Sequence, residues 1–145
     1  MTATGTPTPP SQQTVTFDDL TNPNRVLNGA YPTGLIRWGS SGWFLSGPVG
    51  AFATNSVRFQ QPGSAQESIA FVAPRRVVQI TAYNHGTADS IVTLACPGQR
   101  VAQVTLAPNQ QMTLVTGWTA ACSRLRLGSK NGGDTYFDNL VLDGA

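Results

Sequence analysis

From Thr14 onward the chain is built of short apolar runs separated by turn residues. The runs are TVTF (14–17), LIRW (35–38), SVRF (56–59), SIAFV (68–72), VVQITAY (77–83), IVTLAC (91–96), VAQVTL (101–106), MTLVT (112–116), RLRLG (124–128) and YFDNLVL (136–142). Across 78–82 the apolar residues fall at every second position, and 101–106 does the same toward its end. A period of two puts one strand face in a core and the other in water, which is the pattern of antiparallel sheets. Arg124-Leu125-Arg126-Leu127 repeats the signal with arginine outward. Asn28-Gly29, Gly47-Pro48, Pro62-Gly63, Asn84-His85-Gly86, Pro97-Gly98, Pro108-Asn109 and Asn131-Gly132-Gly133 supply the turns. No segment carries a helical period. The pattern predicts an all-β fold, a two-layer antiparallel β-sandwich with the jelly roll as the favoured topology.

Composition narrows the function classes. Charged residues make up 11% of the 145, where roughly 25% is usual. Ser, Thr, Gln and Asn replace them, so the surface is polar but weakly ionic. No run approaches the ~18 apolar residues of a membrane-spanning helix. The net charge is +2 and the basic residues are scattered, apart from Arg75-Arg76, which argues against a nucleic-acid partner. Residues 1–13, MTATGTPTPPSQQ, read as a Thr/Pro-rich linker or tail, without the basic start and apolar stretch of a signal peptide. Residues 14–145 read as one sandwich domain, expected to be monomeric, cut from a longer secreted protein.

Two cysteines, Cys96 and Cys122, cannot close a zinc site unaided. Lys130 is the one lysine and Glu67 the one glutamate. That composition is extracellular in character and makes a disulfide the preferred reading over two buried thiols. The chain-entropy model gives such a loop roughly 3–4 kcal/mol of stabilisation.

Both ends of the folded region place carboxylates beside an aromatic residue, in Phe17-Asp18-Asp19-Leu20 and Phe137-Asp138-Asn139-Leu140. First and last strands of a sandwich commonly lie side by side, which would bring these groups together. Converging carboxylates repel unless neutralised, and calcium accepts mixed carboxylate, amide and carbonyl oxygens. Asp18, Asp138 and Asn139 are the candidates, with Asp19 and Asp134 behind them. The alternative is turn capping by the same side chains.

Tyr31, Trp38, Trp43, Phe44 and Phe52 crowd a Gly/Ser/Pro-rich stretch. Placing Ile36 and Trp38 in the core leaves Arg37 in water. Trp43 follows Gly39-Ser40-Ser41-Gly42, and Trp118 lies between a strand and a turn, so both are expected to reach solvent. An exposed indole suits the apolar face of a sugar ring, while amides and guanidinium groups suit its hydroxyls. Trp43, Trp118, Tyr31 and Arg37 are therefore the candidate ligand-binding residues, set against ordinary core packing of the same rings.

A Thr/Pro linker, the opening VTFDDL, the closing YFDNLVLDG and one apparent disulfide resemble the non-catalytic carbohydrate-binding modules of jelly-roll type. Such modules are appended to secreted bacterial glycoside hydrolases or polysaccharide lyases. The resemblance implies a polysaccharide partner, a plant cell-wall or other β-glycan, and a covalently linked catalytic domain. It also implies a structural calcium near the first and last strands, which carries over to Asp18 and Asp138.

Two other readings stand beside it. An adhesion or structural domain of a cell-surface protein would use the same sandwich. An enzyme needs a constellation, and the parts are sparse. His85 is the one histidine, in a turn, and no Gly-x-Ser-x-Gly elbow marks a nucleophile. Glycosidase chemistry needs two carboxyl groups facing each other across a sugar, while Asp18, Asp19, Glu67, Asp89, Asp134, Asp138 and Asp143 lie mostly in turns or near the ends.

Overall fold

A computed structural model describes residues 12–61 and 63–144. The linker segment 1–13 lies outside the described residues except for Gln12 and Gln13, and so does Pro62 of the Pro62-Gly63 turn. The described residues form eleven strands and one 3₁₀ turn at Gly132–Asp134. The strands are β1 (Gln13–Val15), β2 (Arg25–Leu27), β3 (Ile36–Arg37), β4 (Trp43–Ser46), β5 (Ser56–Phe59) and β6 (Gln66–Asn84). After these come β7 (Ser90–Ala95), β8 (Ala102–Leu106), β9 (Gln111–Val115), β10 (Cys122–Ser129) and β11 (Thr135–Asp143).

All pairings are antiparallel, and the strands make two layers joined by the long β6. In the first sheet β2, β4, β5, β11, the second half of β6, and β9 lie in that order. β1 continues the β5 edge of β11, pairing Val15 with Leu140. In the second sheet the order is β3, the first half of β6, β10, β7 and β8. This is the expected β-sandwich jelly roll. The first and last strands lie side by side, also as expected.

β6 corrects one feature of the sequence reading. The runs 68–72 and 77–83 are a single strand that crosses from one layer to the other. Phe71 pairs with β3, and Arg75 and Arg76 begin the pairings with Cys122 and Asp143. Pro74 lies in the crossover between them, where its missing N–H withdraws nothing from a ladder. β2 and β4 are strands that the period-two pattern did not reveal.

The core is dominated by a chain of aromatic rings between the layers. Phe17, Trp38, Trp43 and Phe59 are linked by edge-on contacts with centroids 5.3–5.6 Å apart, and Phe137 closes against Trp43 and Phe59. Edge-to-face geometry suits the ring quadrupoles and adds about 0.5–1.5 kcal/mol per pair beyond burial. Trp43 comes from the first sheet, and its indole N–H donates to the Ser68 carbonyl of the second, 3.1 Å away. Its polar atom is satisfied while the ring fills the interlayer space. Cys96, just past β7, is bonded to Cys122 at the start of β10, with Cα atoms 6.0 Å apart, as the composition suggested.

Replacing Trp43 by alanine removes the ring that touches both layers. Trp43→Ala is expected to lower the unfolding free energy by about 3–5 kcal/mol in urea titrations, the usual cost of deleting a buried large aromatic. A loss below about 1 kcal/mol would contradict the packing described.

Candidate functional site

Trp38 lies in the core as expected, whereas Trp43 and Trp118 correct the sequence expectation. Trp43 is 0% exposed, Trp38 3% and Trp118 4%. Each indole N–H is taken by a backbone carbonyl: Trp43 by Ser68, Trp38 by Tyr31 and Trp118 by Arg100. Trp43 and Trp118 therefore do not stand in solvent. The reason is that an indole buries a large apolar area and its one donor is easily satisfied by a loop carbonyl. Tyr31 is half-buried, packs on Phe17 with centroids 5.8 Å apart, and donates its hydroxyl to Asp19. Burial and that hydrogen bond raise its hydroxyl above the usual range. Phe44 and Tyr136 are the other half-buried rings of the first sheet's strands, and the Arg58 guanidinium covers Phe44 at 4.2 Å.

Arg37 is exposed, as expected, and it marks the face where an open site exists. Strand pairing aligns Arg37 with Ala70 and Ala70 with Arg124, so all three project outward from the second sheet. The next row holds Ser68, Arg126 and Ala95, and the row after it Gln66, Gly128 and Thr93. Small residues between long ones leave a trough. An open groove of about 570 Å³ runs there, bounded by Trp38, the 39–42 loop, Gln61, Gln66, Glu67, Ser68, Arg124 and Arg126. A smaller hollow of about 240 Å³ continues it past Ser68, Arg124 and Arg126 to Ala95, Cys96 and Pro97.

Two details shape the groove wall. Gly39 has φ +81°, a left-handed conformation that favours glycine. A side chain on Gly42 would put its Cβ 2.6 Å from the Glu67 carboxylate, so the loop lies against Glu67 because residue 42 has none. Ser64 donates to Glu67 at 3.0 Å and fixes the carboxylate from the other side. Sequence reasoning missed Arg124 and Arg126 as site residues, although the alternation had placed them outward. Which residues face them across the sheet is set by pairing with distant strands.

The carboxylates of the two chain ends come together in part. Thr54 and Asn55 are consecutive, and they reach Asp138 and Asp18 respectively: the Thr54 hydroxyl donates to Asp138 at 3.4 Å, and the Asn55 N–H to Asp18 at 3.1 Å. Asn139 contributes its backbone N–H to Asp138 at 2.7 Å, while its side chain is exposed. Asp19 is turned to Tyr31, and Asp134 lies in the 3₁₀ turn after β10. Among the described residues no group of three or more His, Cys, Asp or Glu is placed to hold a metal. Asp138 is only 3% exposed. Burial pushes its carboxyl up to about 7, helped by the Asp18 charge and opposed by the Asn139 and Thr54 hydrogen bonds.

Other polar clusters are internally satisfied. The buried Asn84 side chain donates to the Ala88 and Leu106 carbonyls and accepts from Gly86 and Asn131. His85 accepts or donates to the Tyr83 hydroxyl at 3.0 Å and has no carboxylate within hydrogen-bond reach among the described residues. Arg76 pairs with Asp143, holding that carboxyl below its usual range.

No protein-family model matches the sequence, and no curated protein sequence matches it. Solved structures do match in fold. A variant of a family 29 carbohydrate binding module superposes with a TM-score of 0.50 at 15% identity, over 92% of this chain and 92% of that chain. Another variant of that module, complexed with cellulohexaose, gives 0.50 at 16% identity over 93% and 92%. A third, complexed with mannohexaose, gives 0.50 at 15% identity over 92% and 92%. At these identities the likeness is one of architecture, and it agrees with the sandwich built above.

The raised carboxyl of Asp138 sets a pH dependence with a definite sign. The folded state keeps this proton to about pH 7, while an unfolded chain releases it near pH 4. Between those values the folded state binds more protons, so stability falls as pH rises. In excess EDTA the melting temperature is expected to be lower at pH 8 than at pH 5 on account of this group. Asp138→Asn should remove that part of the slope. A variant whose slope equals that of the parent would contradict the assignment.

Proposed function

We propose that this chain is a non-catalytic carbohydrate-binding module of a secreted protein, which holds a linked catalytic domain at its polysaccharide. The groove on the outer face of the second sheet carries the reading. It is long, open and lined by serine hydroxyls, glutamine amides and guanidinium groups, which are the partners that sugar hydroxyls need. The likeness in fold to modules complexed with cellulohexaose and mannohexaose supports the same reading. Glu67 is the one carboxylate lining the groove, whereas glycoside hydrolysis uses a facing pair. Binding alone then has a use: a short tether converts encounter of enzyme and polymer into a local event and raises the effective concentration.

Asp18 and Asp138 fit a structural calcium in their chemistry. The donors gathered there are oxygen, from two carboxylates and the Thr54 hydroxyl, and calcium is held by oxygen ligands. The Ser56 hydroxyl on β5 is buried without a hydrogen-bond partner. The Val57–Phe137 pairing puts Ser56 one step along the ladder, beside Asp138. A hard cation would supply the positive charge that this buried carboxyl lacks and would favour its ionised form.

Two measurements test these readings. In affinity electrophoresis and pull-downs on cellulose, mannan, xylan and pectin, the chain is retained on at least one polymer. Gln66→Trp, which fills the groove beside Gly128, abolishes retention with the melting temperature unchanged. Tyr136→Ala, on the first sheet, leaves retention intact. Retention lost only with Tyr136→Ala would move the site to the other face; no retention on any glycan would favour an adhesion domain; release of reducing ends would revive an enzyme. For the metal, calcium should raise the melting temperature more at pH 8 than at pH 5. Melting curves identical in calcium and in EDTA at both values would remove the ion from the account.

A further inference from the structure

Nine basic residues lie in the chain; Arg100 and Lys130 are exposed outside the strands, and the other seven are of two kinds. Arg25 donates to the Asn22 and Thr21 carbonyls, Arg75 to the Asp143 carbonyl, and Arg76 to the Trp118 carbonyl and the Asp143 carboxylate. Arg58 donates to the Phe59 carbonyl and lies over Phe44. These four are structural. Arg37, Arg124 and Arg126 have no hydrogen-bond or ion-pair partner among the described residues, and all three are exposed on the outer face of the second sheet.

Their spacing follows from the pairing. Arg124 and Arg126 are two residues apart on one strand, about 7 Å. Arg37 lies two strands from Arg124 through Ala70, about 10 Å. Ser68, Ala70 and Ala95 fill the intervening positions, so nothing long or acidic shields the three guanidinium groups from one another. The one carboxylate bordering them, Glu67, is turned to the 39–42 loop and to Ser64. Like charges gathered on one sheet face cost stability, and a chain otherwise poor in charge sets three on this face, with Arg124 and Arg126 lining the groove. Such a local cost without an internal partner is the mark of a functional surface.

We propose that this face binds an acidic polysaccharide, with Arg37, Arg124 and Arg126 taking the carboxylates of successive uronic acid units and the groove's hydroxyl and amide groups taking the ring hydroxyls. The proposal rests on the carbohydrate-binding reading and narrows it. The guanidinium fork matches a carboxylate in bidentate fashion. No aromatic ring stands on the rows of this face, so it lacks the stacking platform that binders of single-stranded nucleic acid use. The Ser68 hydroxyl lies beside Arg126, and Gln66 and Thr93 lie in the next row, which suits a polymer carrying both charge and many hydroxyls.

The test is isothermal titration and affinity electrophoresis of the chain with polygalacturonate and alginate. Neutral mannan and xylan, dextran sulfate and double-stranded DNA are run beside them. One of the two polyuronates should bind more tightly than every other polymer, and its affinity should fall several-fold between about 50 mM and about 500 mM NaCl as screening shortens. R124Q/R126Q should weaken that binding ~10-fold or more, as expected for losing two charge-assisted contacts. Ala95→Glu, which sets a carboxylate beside Arg126 in the same row, should weaken it with no arginine removed. Both variants should keep the parent's melting temperature within a few degrees, and Arg76→Gln should leave affinity unchanged. Binding to neutral glycans that R124Q/R126Q and salt do not alter would overturn the acidic ligand but leave the module. Binding to dextran sulfate or DNA as tight as to polyuronate would overturn it as well, because the face would then be an unselective polycation. Binding to none of the polysaccharides would remove both readings.

Discussion

The fold depends on one indole held between two layers. Trp43 leaves the first sheet, meets Trp38, Phe59 and Phe137 edge-on, and donates its N–H to the Ser68 carbonyl of the second sheet. A sandwich of short strands has little continuous backbone pairing between its layers, so contact between the layers must come from side chains. A ring that is apolar on both faces and satisfied at its one polar atom does this without a buried unpaired group. Its N–H bond also reaches the backbone of Ser68, whose side chain lines the groove on the opposite side of the same strand. Core packing and groove floor are thus two faces of one residue position.

β6 distributes that arrangement. Its first half supplies the floor of the groove, and its second half pairs with β11 and β9 in the other layer. Pro74 is tolerated because it falls in the crossover, where neither ladder needs its N–H. The Arg76–Asp143 pair and the Arg75 bond to the Asp143 carbonyl secure the same bend to the end of β11. The disulfide holds the neighbouring β7 and β10 at the groove's other end, and β10 carries the two outward arginines.

The strands that alternate strictly were legible in the sequence. β5, β7, β8, β9, β10 and β11 lie within a residue or two of the runs read for them, because a half-buried strand writes its period into the side chains. β4 was not legible. It is nearly all buried, Trp43, Leu45 and Ser46 alike, so no alternation marks it, and the glycines and serines before it read as a loop. β6 was split because Pro74 and two arginines look like a break when the layer change is not known. Trp43 and Trp118 were misplaced for a related reason: their acceptors are 25 and 18 residues away, and no local pattern announces them. The meeting of Asp18 with Asp138 was legible from the ends of the chain. The face shared by Arg37 and Arg124 was not, because it arises from two pairings through Ala70.

The aromatic residues take the opposite place to the one expected for Trp43 and Trp118. The indoles build the interior, and in the proposed binding mode the outward rows of hydroxyl, amide and guanidinium groups meet the ligand. The most direct test follows oligogalacturonate titration by heteronuclear NMR, reading backbone amides together with the indole Nε1–H signals. The account predicts shifts clustered at Ser68, Ala70, Arg124 and Arg126, with the Nε1–H signals of Trp43 and Trp118 unmoved. Shifts centred on those two indoles, or on the first sheet's outer face, would contradict it.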